Sequence, residues 1–188
     1  MRSIILLSVI LGLLSFRAYS QPDELEEKFI TLAAKGDFAK VTSCVKKGVN
    51  VNAKNRARWT ALAYACKYGH GEIVQYLVEN GANIDLTVNV GSTPLQVALN
   101  SNNFKIADYL IKKGADVNIP DITGMTALAW AAKSGDLKTV KYLIEHGADV
   151  NSKNVNARTI LDNTTDPEVI AYLKSAGAKT GKELMQSS

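Results

Sequence analysis

Few side chains in this sequence have types that suit catalysis or metal binding. Among 188 residues there are two histidines, His70 and His146, and two cysteines, Cys44 and Cys66. A zinc site needs three or four ligands at short spacings, and a disulfide-dense scaffold needs more cysteines. The sequence has no glycine-rich phosphate loop, no Gly-x-Ser-x-Gly elbow and no His-Glu-x-x-His motif. We therefore predict that the protein is not an enzyme and holds no metal ion.

A short basic and aromatic segment is the first candidate for a binding surface. Arg56, Arg58, Trp59, Lys67 and Tyr68 lie within 13 residues of one another. Arg, Trp and Tyr are the side chains that most often carry binding energy at protein interfaces. The alternative is an ordinary solvated face that includes one exposed tryptophan.

The charge balance argues against nucleic acid as a partner. Lys and Arg number 22 and Asp and Glu number 18, which gives a formal net charge of +4. Arg2 and Arg17 lie in the first 20 residues, which hold no acidic residue, so the rest of the chain carries only +2. A nucleic-acid-binding domain usually has a larger and more clustered excess. Hydrophobic residues at 46% and charged residues at 21% are typical of a folded soluble domain.

The first 20 residues have the layout of an export signal. Arg2 is followed by an almost uninterrupted apolar run over residues 4–16, and Ala18-Tyr19-Ser20 places small residues before a cleavage point. The apolar run is too short for a comfortable membrane span, although an uncleaved anchor is the alternative. We expect a signal peptide over 1–20, a mature protein without membrane insertion, and a periplasmic or secreted location.

The remaining sequence repeats with a period of 33 residues. Gly48, Gly81, Gly114 and Gly147 are each 33 residues apart, and a Thr-x-Leu triplet begins at Thr60, Thr93, Thr126 and Thr159 with the same step. Self-similarity at such a period indicates stacked units that share one continuous core. The threonines suit helix N-caps, and the glycines suit helix ends. Each unit is predicted to be helix, turn, helix and hairpin.

The period and the residues resemble the ankyrin repeat. The matching motifs are Thr93-Pro94-Leu95, Ala131-Ala132 with Gly135, and Gly147-Ala148-Asp149-Val150-Asn151. The resemblance implies an all-α repeat solenoid over 21–180, with repeats at about 25–57, 58–90, 91–123, 124–156 and 157–180. Residues 181–188 are expected to be a flexible tail, and the capped ends of the stack favour a monomer.

The resemblance also implies where a partner would bind. Ankyrin proteins present variable residues on their hairpins and inner helices, which line a concave groove. Exposed apolar residues such as Ile122 favour a protein partner there. The predicted groove residues are Arg56, Trp59, Lys67, Tyr68, Asn89, Ser92, Asn100, Ser101, Ile122, Met125, Lys133 and Arg158. Trp130 is expected in the core of an inner helix.

The hairpins of two repeats depart from the family pattern, and two cysteines fall in neighbouring repeats. Arg58 and Ala157 stand where the other hairpins have glycine, so the hairpins that open repeats two and five are expected to be irregular. Cys44 and Cys66 fall at buried positions of adjacent repeats. In an oxidising compartment they either form a disulfide or remain two buried free thiols.

The leading hypothesis is an exported, non-enzymatic protein that binds a partner protein through this groove. A signal peptide on a small ankyrin protein also resembles bacterial exported ankyrins, some of which support a catalase, in some cases through haem supply. An accessory factor for a catalase or another oxidative-stress enzyme is therefore an alternative, and a secreted effector that binds host proteins is another. No cofactor is expected, but direct haem binding would have to use His70, His146, Tyr68 or Met125.

Overall fold

The computed structural model describes residues 24–186, so the predicted export segment lies outside the described residues. Within this part of the chain the secondary structure is helical apart from isolated β-bridges, and none of its helices is long and apolar enough to cross a membrane. The helices are α1 (Glu24–Lys35), α2 (Phe38–Lys46), α3 (Ala61–Tyr68), α4 (Gly71–Glu79), α5 (Pro94–Asn100), α6 (Phe104–Lys112), α7 (Ala127–Lys133), α8 (Leu137–Glu145), α9 (Ile160–Asn163), α10 (Pro167–Ser175) and α11 (Gly181–Gln186).

The helices form five antiparallel pairs that stack in chain order. The odd-numbered helices α1 to α9 pack against one another as an inner row, and the even-numbered helices α2 to α10 form an outer row. The core runs along the stack between the rows. Leu62, Leu95 and Leu128 from the inner row are at most 2% exposed, and the outer row contributes Leu77 and Leu110 at 0%. The predicted helical repeat solenoid is confirmed.

Threonine caps start the inner helices, as the sequence predicts. Thr60, Thr93 and Thr126 each accept a hydrogen bond on Oγ1 from the backbone N–H three residues later, at 3.1–3.3 Å. Such caps satisfy a helix N–H that has no partner within the helix. Gln96 completes a capping box in α5, because its Oε1 accepts from Thr93 N at 3.0 Å.

Amide side chains at one repeat position tie neighbouring repeats together. Asn52 accepts a hydrogen bond from Asn83 N at 2.7 Å and donates one to Gly81 O at 3.1 Å. Asn118 and Asn151 make the same pair of bonds to the units that follow them. Since each amide both donates and accepts, it satisfies two backbone groups of the next unit at once.

Asp85 replaces the amide between repeats two and three. Its carboxylate accepts from Asp116 N at 3.2 Å, but a carboxylate has no N–H to donate to the carbonyl of Gly114, the equivalent of Gly81. Partial burial raises the pKa of Asp85, and the charge of Asp116 raises it further against the lowering effect of the hydrogen bond. A raised pKa in the folded state means that ionised Asp85 costs stability, and that the cost disappears as the pH falls through that pKa.

We expect Asp85→Asn to raise the free energy of unfolding by about 1 kcal/mol at pH 7, because the amide restores the missing donor. The gain should shrink at pH 3, where Asp85 of the wild type is protonated and no longer costs stability. Urea denaturation at both pH values measures this difference. Asp149→Asn, at an exposed position, is the matched control and should change stability by less than about 0.5 kcal/mol. Equal effects of the two substitutions would contradict the role given to Asp85.

The hairpins that open repeats two and five are regular, and the expectation of irregularity is wrong. In each four-residue turn the last N–H bonds the first carbonyl, as in Arg58 N to Asn55 O at 2.8 Å and Ala157 N to Asn154 O at 2.9 Å. Arg58 and Ala157 adopt φ of 61° and 58°, the left-handed region that Gly91 and Gly124 occupy elsewhere. The turn therefore imposes the same backbone on residues with a Cβ, at a cost in strain.

The hairpin of repeat three is the one that departs from the pattern. Asn55, Asp121 and Asn154 open the other turns, and each accepts backbone N–H groups on its side chain. Val88 stands at that position in repeat three and has no acceptor, and the next residue, Asn89, takes a left-handed φ of 39°. The loss of a side-chain acceptor thus coincides with a different backbone at this tip.

Ala157→Gly should raise the free energy of unfolding by about 1 kcal/mol, because glycine adopts the left-handed conformation without the Cβ penalty. The same substitution at Ala171, an exposed residue inside α10, should lower it by about 1 kcal/mol. Thermal unfolding of the two variants gives shifts of opposite sign if the strain is real. If Ala157→Gly instead lowers the free energy of unfolding, the backbone of this turn is not strained at Ala157.

The C-terminal segment forms a helix where a flexible tail was expected. Helix α11 covers Gly181–Gln186, and Thr180 with Glu183 forms a capping box in which Glu183 Oε2 accepts from Thr180 N at 2.6 Å. Gly181 N also donates to Asp162 Oδ2 at 3.0 Å, which holds the start of α11 against the last inner helix. The Thr-x-x-Glu spacing of Thr180 and Glu183 is typical of a capping box and indicates the start of this helix.

Candidate binding groove

The inner row forms the concave side of the stack. Its helices α3 and α7, Ala61–Tyr68 and Ala127–Lys133, are short and rich in alanine. Apart from α5 with α7, the inner helices pack against one another more closely than the outer helices do. Close packing on one side and looser packing on the other must curve a stack toward the closely packed side. The hairpins extend this side, so hairpins and inner helices together form a groove.

The inner row opens between repeats three and four. Helices α5 and α7 pack less closely than α3 with α5 or α7 with α9. Gln96 and Leu99, both buried in α5, occupy positions where the neighbouring repeats have small side chains. Those small residues are Ala63 and Cys66 in repeat two and Ala129 and Ala132 in repeat four. The larger side chains of Gln96 and Leu99 thus coincide with the looser packing of α5 against α7.

Two clefts lie in this opening, with volumes of about 230 Å³ and about 470 Å³. Trp130 and Asn100 line both clefts, Gln96 lines the smaller one and Leu99 the larger one. Trp130 is 39% exposed, so one of the two tryptophans of the chain faces solvent in the groove. An aromatic side chain beside a cleft is the usual form of an energetic anchor for binding.

Asp121 fixes the orientation of Trp130. Its Oδ2 accepts a hydrogen bond from Trp130 Nε1 at 2.7 Å, while Oδ1 accepts from Thr123 N, Thr123 Oγ1 and Met125 N. Partial burial by itself raises the pKa of Asp121, but these hydrogen bonds outweigh it and hold the pKa below its ordinary value. The carboxylate is therefore charged at neutral pH and joins the hairpin to the indole.

Since the pKa of Asp121 is lowered by folding, its hydrogen bonds contribute stability above the ordinary carboxyl pKa, and that contribution is lost as the pH falls through the folded value. We expect the Trp130 fluorescence of a Trp59→Phe variant to change between pH 5 and pH 2.5. Asp121→Asn should remove this transition while leaving the far-ultraviolet circular dichroism unchanged at pH 7. A transition that persists in Asp121→Asn would assign it to another carboxylate.

Three aliphatic side chains form an exposed ridge along successive hairpin tips. Val90 is 50% exposed, and Ile122 and Val155 are each 69% exposed. Backbone hydrogen bonds join these tips, from Ile122 N to Val90 O at 3.2 Å and from Val155 N to Thr123 O at 3.1 Å. The apolar ridge, Val90 with Ile122 and Val155, borders the cleft at Val90.

Repeat two carries a stacked aromatic cluster. Trp59 contacts Tyr64 with ring centroids 4.9 Å apart, and Tyr64 stacks on Tyr68 at 6.1 Å. The ammonium of Lys67 lies over the rings of Trp59 and Tyr68, at 5.2 Å and 5.5 Å. Lys133 lies over Trp130 in the same way, at 5.0 Å. The inner helices of repeats two and four therefore each place a lysine over aromatic rings, although the aromatic residues are at different repeat positions.

Most of the predicted groove residues lie on the hairpins and inner helices with solvent access. Those that are exposed are Arg56, Lys67, Tyr68, Asn89, Asn100, Ile122, Lys133 and Arg158. Those that are half-buried are Trp59, Ser92 and Ser101. The structure thus supports their placement, while their part in binding stays a prediction.

Two expectations about large side chains are wrong. Met125 is only 6% exposed and belongs to the core, whereas Trp130, expected in the core, is exposed. Met125 and Trp59 both precede the capping threonine, a position whose apolar side chain packs back onto the helix. The contact of Trp59 with Tyr64 shows this packing. Trp130 lies three residues before the exposed Lys133, a spacing that places both on one helix face and could have identified it.

The histidines hydrogen-bond the backbone, and the cysteines are buried in the stack. His70 Nε2 lies 3.1 Å from Ala34 O in the preceding repeat, and His146 Nδ1 lies 2.7 Å from Tyr142 O. Cys44 and Cys66 are both buried free thiols, and burial raises the pKa of the Cys66 thiol. A thiol with a raised pKa is a poor nucleophile.

Within residues 24–186 no three side chains of His, Cys, Asp or Glu come together in a way that could hold a metal ion. Of the side chains considered as haem ligands, Met125 is buried and both histidines hydrogen-bond backbone carbonyls. Tyr68 is 52% exposed, and its ring centroid lies 6.3 Å from that of His70.

Stacked helix pairs, capping threonines and left-handed hairpin turns define a helical repeat protein with a concave face, a class that generally mediates protein–protein interaction. A family model for ankyrin repeats in three copies matches residues 13–88, 29–121 and 87–154. The matches cover well over half of the chain, and the protein therefore belongs to the ankyrin-repeat family.

Segments of larger proteins are similar to this chain. Ankyrin repeat domain-containing protein 40 of Mus musculus is 40% identical over 63 residues, which are 33% of this chain and 17% of the mouse protein. The probable E3 ubiquitin-protein ligase XBOS33 of Oryza sativa subsp. japonica is 48% identical over 46 residues, 24% of this chain and 9% of the rice protein. The NAD-capped RNA hydrolase NUDT12 of Macaca fascicularis is 41% identical over 61 residues, which are 32% of this chain and 13% of the macaque protein. The chain thus spans less than a fifth of each of these relatives.

Proposed function

We propose that this protein is a non-enzymatic binding module that holds a partner protein in its concave groove, centred on Trp130. The observation that carries the proposal is the opening between α5 and α7, where Trp130 and Asn100 line two adjoining clefts. An exposed aromatic side chain held in one orientation loses little conformational entropy when a partner covers it. The hydrogen bond from Trp130 to Asp121 supplies that orientation.

The apolar ridge supports the same proposal. Val90, Ile122 and Val155 expose aliphatic surface next to the clefts. Apolar surface rimmed by polar residues marks interaction sites, because its burial by a partner is favourable. The ridge extends over three hairpins, and a partner segment could therefore follow the groove for several residues.

The proposal includes an exported compartment. It rests on the charge and apolar pattern of residues 1–20. N-terminal sequencing of the protein purified from its natural source tests it, and a start at Gln21 is expected. A protein that retains Met1 to Ser20 and stays in the cytosolic fraction would overturn this part of the proposal.

Capture of partners from the native exported fraction tests the groove. With the purified protein as bait, Trp130→Ala should retain at least about tenfold less of the specific partner, as expected when an anchor side chain is removed. Phe38→Ala is a matched control, because Phe38 is also 39% exposed but lies on the outer helix α2. Circular dichroism and the urea midpoint show that both variants are folded.

The identity of the captured protein then separates the more specific roles. A catalase or another oxidative-stress enzyme would support an accessory role, and a host protein would support an effector role. Equal capture by wild type and Trp130→Ala would exclude the cleft as the binding site. Loss of capture in Phe38→Ala alone would place binding on the outer row.

A further inference from the structure

The positive charge of the protein is concentrated on the groove side of repeats two to five. Across their hairpins and inner helices, residues 54–68, 87–100, 120–133 and 153–163, there are seven basic and two acidic side chains. The basic residues are Lys54, Arg56, Arg58, Lys67, Lys133, Lys153 and Arg158. The other described residues have 13 basic and 15 acidic side chains, so the excess lies on the groove side.

Both acidic side chains on this side are engaged in local hydrogen bonds. Asp121 accepts from Trp130 and its own turn, and Asp162 accepts from Thr159 and Gly181. Among residues 24–186, no carboxylate lies within ion-pair distance of Lys67 or Lys133, whereas Lys40 and Lys112 pair with Asp37 and Asp108 on the outer row. Lys67 and Lys133 therefore have no ion-pair partner among the described residues, whereas the hydrogen bond from Thr159 N and the charge of Arg158 lower the pKa of Asp162, and Glu27 Oε1 accepts from Arg56 N at 3.0 Å.

The basic residues form two groups that flank an apolar centre. Lys54, Arg56, Arg58 and Lys67 belong to the hairpin that opens repeat two and to its inner helix, while Lys133, Lys153 and Arg158 lie in repeats four and five. Partial burial lowers the pKa of Lys54, and the neighbouring charge of Arg58 lowers it further. The hairpin and inner helix between the two groups, residues 87–100, contribute Val90, Ser92 and Asn100 and no charged side chain.

We infer that the groove recognises an extended acidic segment of a partner protein, with acidic residues at both ends of an apolar centre. The carboxylates would meet the two basic groups, and the apolar residue would cover Trp130 and the ridge at Val90 and Ile122. This inference rests on the proposed function and specifies the partner's chemistry. Complementary charge of this kind increases association rates and rejects basic partners.

The repeat geometry sets the spacing of the acidic residues. Lys67 and Lys133 are equivalent positions two repeats apart. Packed helices lie about 8–10 Å apart, and α5 and α7 pack less closely than the other inner helices, so the two lysines are separated by at least about 16–20 Å along the stack. An extended chain advances about 3.3–3.6 Å per residue, and the two acidic residues should therefore be at least about five or six residues apart.

The lack of basic side chains at the centre of the groove distinguishes this partner from a nucleic acid. A nucleic acid carries charge at every phosphate, and its binding sites have a continuous basic track. Here the basic track is interrupted by residues 87–100, which hold no charged side chain, by the carboxylate of Asp121 beside Trp130, and by the exposed aliphatic ridge. An acidic peptide with an apolar centre matches this pattern.

Selection from a display library of random twelve-residue peptides on the purified protein tests the inference. Enriched peptides should carry acidic residues at least about five or six positions apart around an apolar residue. Their fluorescein-labelled synthetic forms should bind about tenfold or more weakly to Lys67→Glu/Lys133→Glu, and binding should weaken as salt is raised from 0.15 M to 0.5 M.

The control is Lys46→Glu/Lys105→Glu, which makes the same charge change on exposed residues of the outer row and should alter affinity less than twofold. Urea midpoints establish that both double variants are folded, and Lys67→Gln/Lys133→Gln should give an intermediate loss if charge is the cause. If Lys67→Glu/Lys133→Glu and Lys46→Glu/Lys105→Glu lose the same affinity, the effect depends only on the net charge of the protein, and the inference is overturned.

Enriched peptides without acidic residues would also overturn it, as would the failure to enrich any peptide over a Trp130→Ala bait. Tighter binding of a single-stranded oligonucleotide than of the acidic peptides, lost in Lys67→Glu/Lys133→Glu, would assign the basic groups to nucleic acid. None of these results decides the proposed function, because the capture experiment with Trp130→Ala tests that independently of partner charge.

Discussion

Leu128→Ala should lower the free energy of unfolding by about 3–5 kcal/mol, the upper part of the range for a fully buried leucine. Leu128 is 0% exposed and lies in α7, the inner helix of repeat four. Its removal leaves a cavity that the stack can close only by moving α7 or α8. Repeat proteins are stabilised mainly by contacts between neighbours, so damage to an internal repeat also uncouples the units on either side.

The two tryptophans can detect that uncoupling. Trp59 precedes α3 in repeat two, and Trp130 lies in α7, so Trp130→Phe and Trp59→Phe versions report on different parts of the stack. We expect the Leu128→Ala protein to lose its Trp130 signal at lower urea concentration than its Trp59 signal. In the background without Leu128→Ala the two signals should change together.

Ile122→Ala is the control for this experiment, because Ile122 is 69% exposed in the same repeat. It should change stability by less than about 0.5 kcal/mol. A loss below about 1 kcal/mol for Leu128→Ala would show that repeat four adds little to the core. Coincident transitions in that variant would show that the stack unfolds as one unit.

Gly124→Ala should lower the free energy of unfolding by about 3 kcal/mol through two separable effects. Gly124 has a φ of 77°, where a Cβ costs about 1–2 kcal/mol. A Cβ at Gly124 would also lie 2.7 Å from Val155 N and 2.8 Å from the Cα of Asn154. Because these atoms belong to the backbone of the next hairpin, the two hairpins must separate, and the bond from Val155 N to Thr123 O is lost.

Gly147→Ala isolates the first effect. Gly147 has a similar φ of 85°, but nothing lies within 4 Å of a Cβ placed there. It should lose only about 1 kcal/mol in urea denaturation, from backbone strain alone. If both variants lose the same amount, the approach of the hairpins does not contribute. The Gly124→Ala protein should also bind partners more weakly, since Ile122 and Val155 lie on the two hairpins that move apart.

The local structure of each repeat could be predicted because local sequence decides it. Thr60 caps its helix through a bond to a backbone N–H only three residues away. The left-handed turn at Gly124 requires only the preceding residues of the hairpin. Even Arg58, which lacks the expected glycine, follows the turn, since the repeated hydrogen bonds outweigh the strain of one residue.

The sequence alone was less informative at the C-terminal end and in the groove. Helix α11 was missed because its polar residues indicate a solvated tail, although Thr180 and Glu183 have capping-box spacing. Its position depends on the bond from Gly181 N to Asp162, which the sequence does not indicate. Trp130 was predicted in the core but is exposed, and Met125 was predicted in the groove but is buried. A large apolar side chain predicts burial by type, but its direction depends on the helix face and on the hydrogen bond from Trp130 to Asp121.

The sequence by itself determined the family and the order of the helices within each repeat, and the side of the stack on which a partner binds stays a prediction. The same capping residues and turn residues recur every 33 residues, so each repeat gives independent support for the structure predicted for the others. Only the tertiary structure decided where the groove opens. The opening lies between α5 of repeat three and α7 of repeat four, next to the buried Gln96 and Leu99. The spacing of two helices depends on how the side chains of both repeats pack together, and the sequence of one repeat does not specify it.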